Sequence, residues 1–215
     1  MIMQITRFPF LAFAILLCLS SQGLAQSEPT LTDLKVLPLV SGVNKIHNFT
    51  PNGRDGLIIE GWRDNGNAHG YNVFVVMVPT PAKNGSRWDI VGVRSGTKFE
   101  DRLSDDPHTV EDYVRSIRFA KGKINGTEAT LLITAERQFS NGDNYLSPMN
   151  VTISIYKLIP RPHDELIGAT TFIFDRIMEK RTEERYCNSD LALAHVLKLP
   201  LPEPYSGPNK NDGCP

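Results

Sequence analysis

Glu128-Ala129-Thr130-Leu131-Leu132-Ile133-Thr134-Ala135-Glu136-Arg137 alternates along almost its whole length. Ala129, Leu131, Ile133 and Ala135 fall on one face; Thr130, Leu132, Thr134 and Glu136 fall on the other. Successive side chains of a strand point to opposite sides, so a period of two predicts a half-buried antiparallel strand. Only Leu132 breaks the polar face. Residues 113–120 stand before it across Gly122-Lys123-Ile124-Asn125-Gly126, and the two arms predict a hairpin.

The same period continues outward. Val151, Ile153 and Ile155 alternate with Thr152, Ser154 and Tyr156, and a last long strand is expected over about 167–178, with Phe172, Ile173 and Phe174. Towards the N-terminus, Leu57-Ile58-Ile59 ends at Gly61-Trp62, and Asp64-Asn65-Gly66-Asn67 is a strong turn signal. The run from Tyr71 to Val78 is β-branched and largely apolar, so both of its faces are expected to be covered, with Pro79 and Pro81 stopping it. Another short strand is expected over 88–94, entered from the Asn84-Gly85 turn. Residues 26–56 read as a lead-in and 100–112 as a polar stretch. After the charged residues 179–185, Asn188, Ser189 and Asp190 are N-cap types that open a helix over 191–197. The proline-rich 199–204 cannot continue it and should be extended. Seven or eight strands and one short C-terminal helix predict a mainly β, antiparallel sandwich-like single domain over 26–215.

The leader is of a different kind. Arg7 is followed by an uncharged apolar run from Phe8 to Leu19, and small residues stand one and three positions before the Ala25–Gln26 bond. Charge, short apolar run and small-x-small site describe a Sec-type signal peptide over 1–25. The run is short for a membrane anchor, and Leu17 before Cys18 is not the small residue that lipidation needs. No membrane span is expected after cleavage. The whole chain carries 23 basic and 24 acidic residues. Removing the leader subtracts only Arg7, for a net charge of -2. This balance gives no footprint for nucleic acid. Forty per cent apolar residues exclude a disordered chain.

Two cysteines remain, Cys187 and Cys214. An even pair in an exported chain reads as a disulfide, here pinning the helix start to the tail. The competing reading is metal ligation, which usually brings cysteines at two-to-four spacing with further ligands nearby, and only His195 is close in sequence. No metal and no cofactor are expected.

Searching for chemistry yields weak strings. There is no Gly-x-Ser-x-Gly elbow and no His-Glu-x-x-His helix. Ser95-Gly96-Thr97-Lys98 matches the Ser-x-x-Lys of serine β-lactamases, but that chemistry needs a helix start, and neither Lys-Thr-Gly nor Ser-Asp-Asn occurs. Asp105-Asp106-Pro107-His108-Thr109-Val110-Glu111-Asp112 concentrates four carboxylates and a histidine, which could bind a cation or act as acid and base. Its bland reading is a solvated loop before a strand. The turn-rich Trp62–Tyr71 segment fails the calcium-loop pattern. Asp106, His108, Glu111, Asp112 and Trp62 are therefore the candidate binding surface, and no catalytic residue is assigned. Asn48, Asn84, Asn125 and Asn150 begin glycosylation sequons, which matter only in a glycosylating host.

Four strings taken together, Asp106–Asp112, Ser116-Ile117-Arg118-Phe119-Ala120, Tyr186-Cys187-Asn188-Ser189-Asp190-Leu191-Ala192-Leu193 and Asp212-Gly213-Cys214, carry a resemblance. The combination resembles the periplasmic carbapenem intrinsic-resistance (self-resistance) proteins of Gram-negative bacteria, the CarG family, over about 56–214. The resemblance implies a small exported β-rich protein that protects a producing cell from its own carbapenem without hydrolysing the drug. It implies action with a second resistance protein and supplies no catalytic residues. The expected function is thus non-enzymatic periplasmic protection, by binding a protein partner or shielding a cell-wall synthesis target, with self-association as a further partner reading. The alternatives are a generic periplasmic binding or inhibitor module, and a small hydrolase using Ser95 or the acidic loop.

Overall fold

A computed structural model describes residues 28–66, 69–83, 85–107, 113–140, 142–144, 147–161 and 170–203. The leader and Cys214 lie outside them. In chain order the strands are β1 (Leu31–Val36), β2 (Gly42–Ile46), β3 (Gly56–Arg63), β4 (Tyr71–Ala82), β5 (Gly85–Ile90), β6 (Gly92–Ser95) and β7 (Lys98–Glu100). The short β8 (Leu103–Ser104) and β9 (Asp106–Pro107) follow, then the long β10 (Tyr113–Ile124), β11 (Thr127–Arg137), β12 (Met149–Pro160) and β13 (Phe172–Tyr186). One helix, α1 (Ser189–Leu197), follows β13.

The strands make two sheets. An eight-stranded sheet has the order β1-β10-β11-β12-β13-β6-β7, with β9 on β10. A five-stranded sheet has the order β2-β3-β4-β5, with β8 on β4. All pairs are antiparallel except β13 with β6. The mainly β, sandwich-like domain is therefore what the chain forms, and no helix among the described residues is long and apolar enough to cross a membrane.

The larger sheet is covered on both faces. On one side Ile117, Phe119, Leu132, Tyr156, Leu158 and Phe174 meet Ile58, Phe74, Val76 and Val78 of the smaller sheet. Phe74 and Phe119 bring their rings to 5.9 Å across the gap. On the other side Leu131, Ile133, Ala135, Ile153 and Ile155 pack under Leu191, Ala192, Leu193 and Leu199. The expected half-buried strand at 128–137 is corrected here. β11 lies in the middle of the sheet with a layer on each side, so Thr130 and Thr134 are buried with Leu132. Leu132 is the anchor of the inter-sheet core, not an exception to an exposed face.

Several boundaries move for physical reasons. The hairpin loop is two residues long: Ile124 pairs with Thr127, and Asn125 and Gly126 both take positive φ. That is the turn whose twist matches paired strands. The supposed lead-in holds two edge strands, β1 and β2, whose half-exposed residues dilute the alternation. β4 runs through Pro79 and Pro81 because only β5 pairs with it there. The Pro79 carbonyl accepts from Arg54 on the open side, so the missing proline N–H faces no ladder. The strand expected over 88–94 is two strands in different sheets, crossing at Val91–Gly92. A Cβ on Gly92 would sit 2.0 Å from the Phe99 ring, so any other residue at the crossing would displace that ring. The polar stretch 100–112 contains β8 and β9, and β13 continues through the charged residues 179–185 with most of them exposed.

The helix obeys its caps. Asn188 is extended and its side chain accepts the Asp190 N–H at 2.8 Å, while Lys198 closes the C-terminus in the left-handed region. Expected to start near 191, α1 starts at Ser189.

Candidate functional site

Asp105 sits between β8 and β9 and is only 8% exposed. Asn72 of β4 holds it from three directions. The Asn72 backbone N–H donates to Oδ1 at 2.7 Å and its Nδ2 donates to Oδ2 at 2.9 Å. The Asp105 N–H returns a bond to the Asn72 carbonyl at 3.2 Å. Burial pushes the Asp105 carboxyl up to about 6, against the lowering effect of the Asn72 hydrogen bonds. Burial also raises Glu60, with the Arg118 charge opposing it.

Asp105 lines an open cleft of about 320 Å³ with Tyr71, Ser104, Asp106, Val114, Arg115 and Glu136. The strand register explains its charge pattern. Asp106 lies opposite Arg115 in the β9–β10 pair, and Glu136 lies opposite Arg115 in the β10–β11 pair. One cation is thus flanked by carboxylates on both neighbouring strands, a favourable cross-strand arrangement. Arg115 also pairs with Glu100 at 3.3 Å, yet its Nε is buried with no hydrogen-bond partner among the described residues. An unmatched buried donor beside a carboxylate that titrates near neutrality suits a polar ligand group.

The structure gathers part of the expected binding surface. Asp106 lines the cleft. Trp62 is 57% exposed and lies opposite Asn72 in the β3–β4 pair, which places it at the same end of the molecule. Its ring rests on Gly70, where a Cβ would come within 2.2 Å. His108, Glu111 and Asp112 lie outside the described residues. Sequence reasoning singled out the acidic string but not that Asp105 is its buried member, and it missed Tyr71, Arg115 and Glu136. Register sets Arg115 opposite Glu136, and Tyr71 joins them across the cleft from the smaller sheet.

Ser95 and Lys98 face each other across a turn in which Gly96 has φ +61°, so the Ser-x-x-Lys string stands at no helix start. Among the described residues no group of three His, Cys, Asp or Glu side chains could hold a metal ion. Cys187 is fully buried at the head of α1.

A second constellation docks the helix. Ser116 and Ser189 hydroxyls approach to 2.5 Å, and Arg118 Nη2 donates to Asp190 Oδ1 at 2.6 Å. Two sequence-distant strings, 116–120 and 186–193, are therefore one contact in space.

These features define a class: a two-sheet β protein with a helix docked on the outer face of its larger sheet and a polar cleft at one end. Neither family models nor curated proteins match the chain. Among solved structures, a crystal structure of CarG aligns with a TM-score of 0.58 at 17% identity, covering 75% of this chain and 95% of that one. The two chains share a fold.

Proposed function

We propose that this chain is an exported, non-enzymatic protein that protects a cell against carbapenem antibiotics. The observation that carries the reading is the fold shared with CarG over nearly all of that protein's length. The four sequence strings that resemble the CarG family support it. Two of them meet as the Ser116–Ser189 and Arg118–Asp190 contacts, so they mark a structural unit. On this reading residues 1–25 direct export to the periplasm and are removed. Cys187 and Cys214 form a disulfide in that oxidising compartment. Protection comes from engaging a protein partner, such as a second resistance protein, or from shielding a cell-wall synthesis target.

The test is direct. A carbapenem-sensitive strain exporting this protein should survive the drug while the concentration of intact drug in the medium stays constant. Loss of intact drug on incubation with purified protein would overturn the non-hydrolytic reading. No survival advantage would overturn the resistance reading.

A second reading has its own observation. The end cleft, with the unmatched Arg115 Nε, also fits a generic periplasmic binding or inhibitor module. Absence of any resistance phenotype, together with an Arg115-dependent ligand, would favour it.

A further inference from the structure

Residues 103–107 stitch the two sheets together at one end of the sandwich. Leu103 and Ser104 pair with Phe74 and Val73 of the smaller sheet. The Asp105 N–H bonds the Asn72 carbonyl, and Asp106 then pairs with Arg115 of the larger sheet. One row of neighbours therefore runs around this end. Trp62 lies opposite Asn72, Asn72 beside Asp105, Asp106 opposite Arg115 and Arg115 opposite Glu136. By strand alternation Trp62 and Asn72 share the inward side of Ile58, Phe74 and Val76, and Arg115 and Glu136 share that of Ile117, Phe119 and Leu132. The 320 Å³ cleft is thus the mouth of the space between the sheets.

The wall of this mouth is acidic and its rim is aromatic. Asp105, Asp106 and Glu136 line it against Arg115, whose guanidinium is paired with Glu100 as well. Trp62 is 57% exposed with its ring backed on Gly70, and no cation of the described residues lies over that ring. The neighbouring aromatic has such a cation, since Arg63 lies 5.8 Å from the centre of the Tyr71 ring. An open indole face beside surplus carboxylates favours cations and repels carboxylates and phosphates. The buried Arg115 Nε needs an acceptor, and a main-chain carbonyl is one that these carboxylates do not repel.

We infer that the mouth between the sheets docks an extended basic segment of a partner protein. An arginine of that segment stacks on Trp62, a lysine ammonium enters between Asp106 and Glu136, and a carbonyl between the two accepts from Arg115 Nε. The inference deepens the proposed engagement of a protein partner and rests on that reading. Strand neighbours lie about 4.8 Å apart, which puts Trp62 about 10 Å along the row from Asp106 and about 19 Å from Glu136. An extended segment rises about 3.3 Å per residue, so side chains four positions apart share one face about 13 Å apart. That spacing sets one basic residue on Trp62 and the other between the two carboxylates. Arginine suits the stacked position because its guanidinium is planar, and lysine suits the cleft because its ammonium is compact.

Fluorescence titration of the purified protein tests this. The chain has two tryptophans, so Trp88→Phe leaves Trp62 as the reporter. The probe is the blocked peptide acetyl-Arg-Thr-Ala-Thr-Lys-amide, at about 10 µM–10 mM and low ionic strength, where charge pairs are least screened. The expected result is a saturable change in Trp62 emission, weakened about tenfold at ~0.5 M salt. Asp106→Asn/Glu136→Gln replaces two exposed carboxylates and should weaken the peptide by about tenfold with an unchanged circular dichroism spectrum. No saturable change with the basic peptide overturns the proposal. So does equal binding of the same peptide with glutamate at both basic positions, or equal affinity in the double variant. Spermidine that binds as tightly as the peptide also overturns it, because the mouth would then select small amines and not a protein segment. The carbapenem survival assay is read separately. Peptide binding without protection would keep the docking surface and remove the resistance reading, and protection without peptide binding would do the reverse.

Discussion

Arg118 on β10 and Asp190 in the first turn of α1, 72 positions apart, share a 2.6 Å hydrogen-bonded ion pair. Asp190 is almost wholly buried and Arg118 is mostly buried. The Arg118 Nη1 also donates to the Ile117 carbonyl at 2.8 Å. The pair fixes where the helix lands on the larger sheet, and the Ser116–Ser189 bond beside it fixes the helix rotation.

Breaking this pair from one side should be costly. Arg118→Met leaves the Asp190 carboxylate buried without its counter-charge, an effect of about 2–4 kcal/mol. Chemical denaturation should show that loss. The double variant Arg118→Met/Asp190→Leu should recover much of it, because no charge is then left unpaired. A double variant as unstable as the sum of the singles would mean that the pair is not the coupling element.

Asp105 should make stability depend on pH. Its folded-state pKa, raised to about 6, exceeds the ordinary value of 3.8. Between those values the folded state holds the proton more tightly than the unfolded state. Stability from this group is therefore greatest below pH 3.8 and declines as pH rises through 6, by about 2–3 kcal/mol in total. Asp105→Asn should flatten that part of the stability-against-pH curve. Parallel curves for the two proteins over pH 4–7 would refute the assignment.

Leu132 offers the sharpest test of the layering. Leu132→Thr restores the polar alternation of β11 and would be harmless if that face met solvent. Because the residue is fully buried between the sheets, the substitution should cost about 2–4 kcal/mol. An unchanged denaturation midpoint would show that the sheets do not pack there.

The proposed bridge between Cys187 and Cys214 predicts no free thiol in the exported protein under oxidising conditions and two after reduction in denaturant. Cys214→Ser should lower stability by about 3 kcal/mol, the loop-closure contribution for a segment of this length. A titre of two thiols per chain without reductant would contradict the pairing.

Much of this was legible because strand alternation and capping are local. The alternation of 128–137 marked β11, the Gly122–Gly126 segment marked its hairpin although the turn itself is only Asn125-Gly126, and Asn188-Ser189-Asp190 marked the helix start within two residues. The errors share one cause. Pro79 and Pro81 stop a strand only if a neighbour needs their missing N–H groups, and 88–94 reads as one strand unless the chain is known to change sheets at Gly92. Residues 179–185 look like a break because their charges are solvated along an extended strand.

The candidate site divides the same way. Asp106 and Trp62 could be singled out by residue type. Arg115 gained its place beside Asp106 and Glu136 only through the β9–β10–β11 register. Asp105 became distinct from its neighbours only through burial against Asn72.

By itself, then, the sequence determined the type of most elements, the mainly β domain and the chemistry available along each strand, since these depend on neighbours in the chain. The tertiary structure alone decided that the middle of β11 has no solvent face, that the larger sheet carries the helix on its outer side, and which carboxylate is held buried. Those outcomes depend on which strand lies beside which, and long-range packing sets that order through contacts that no local periodicity records.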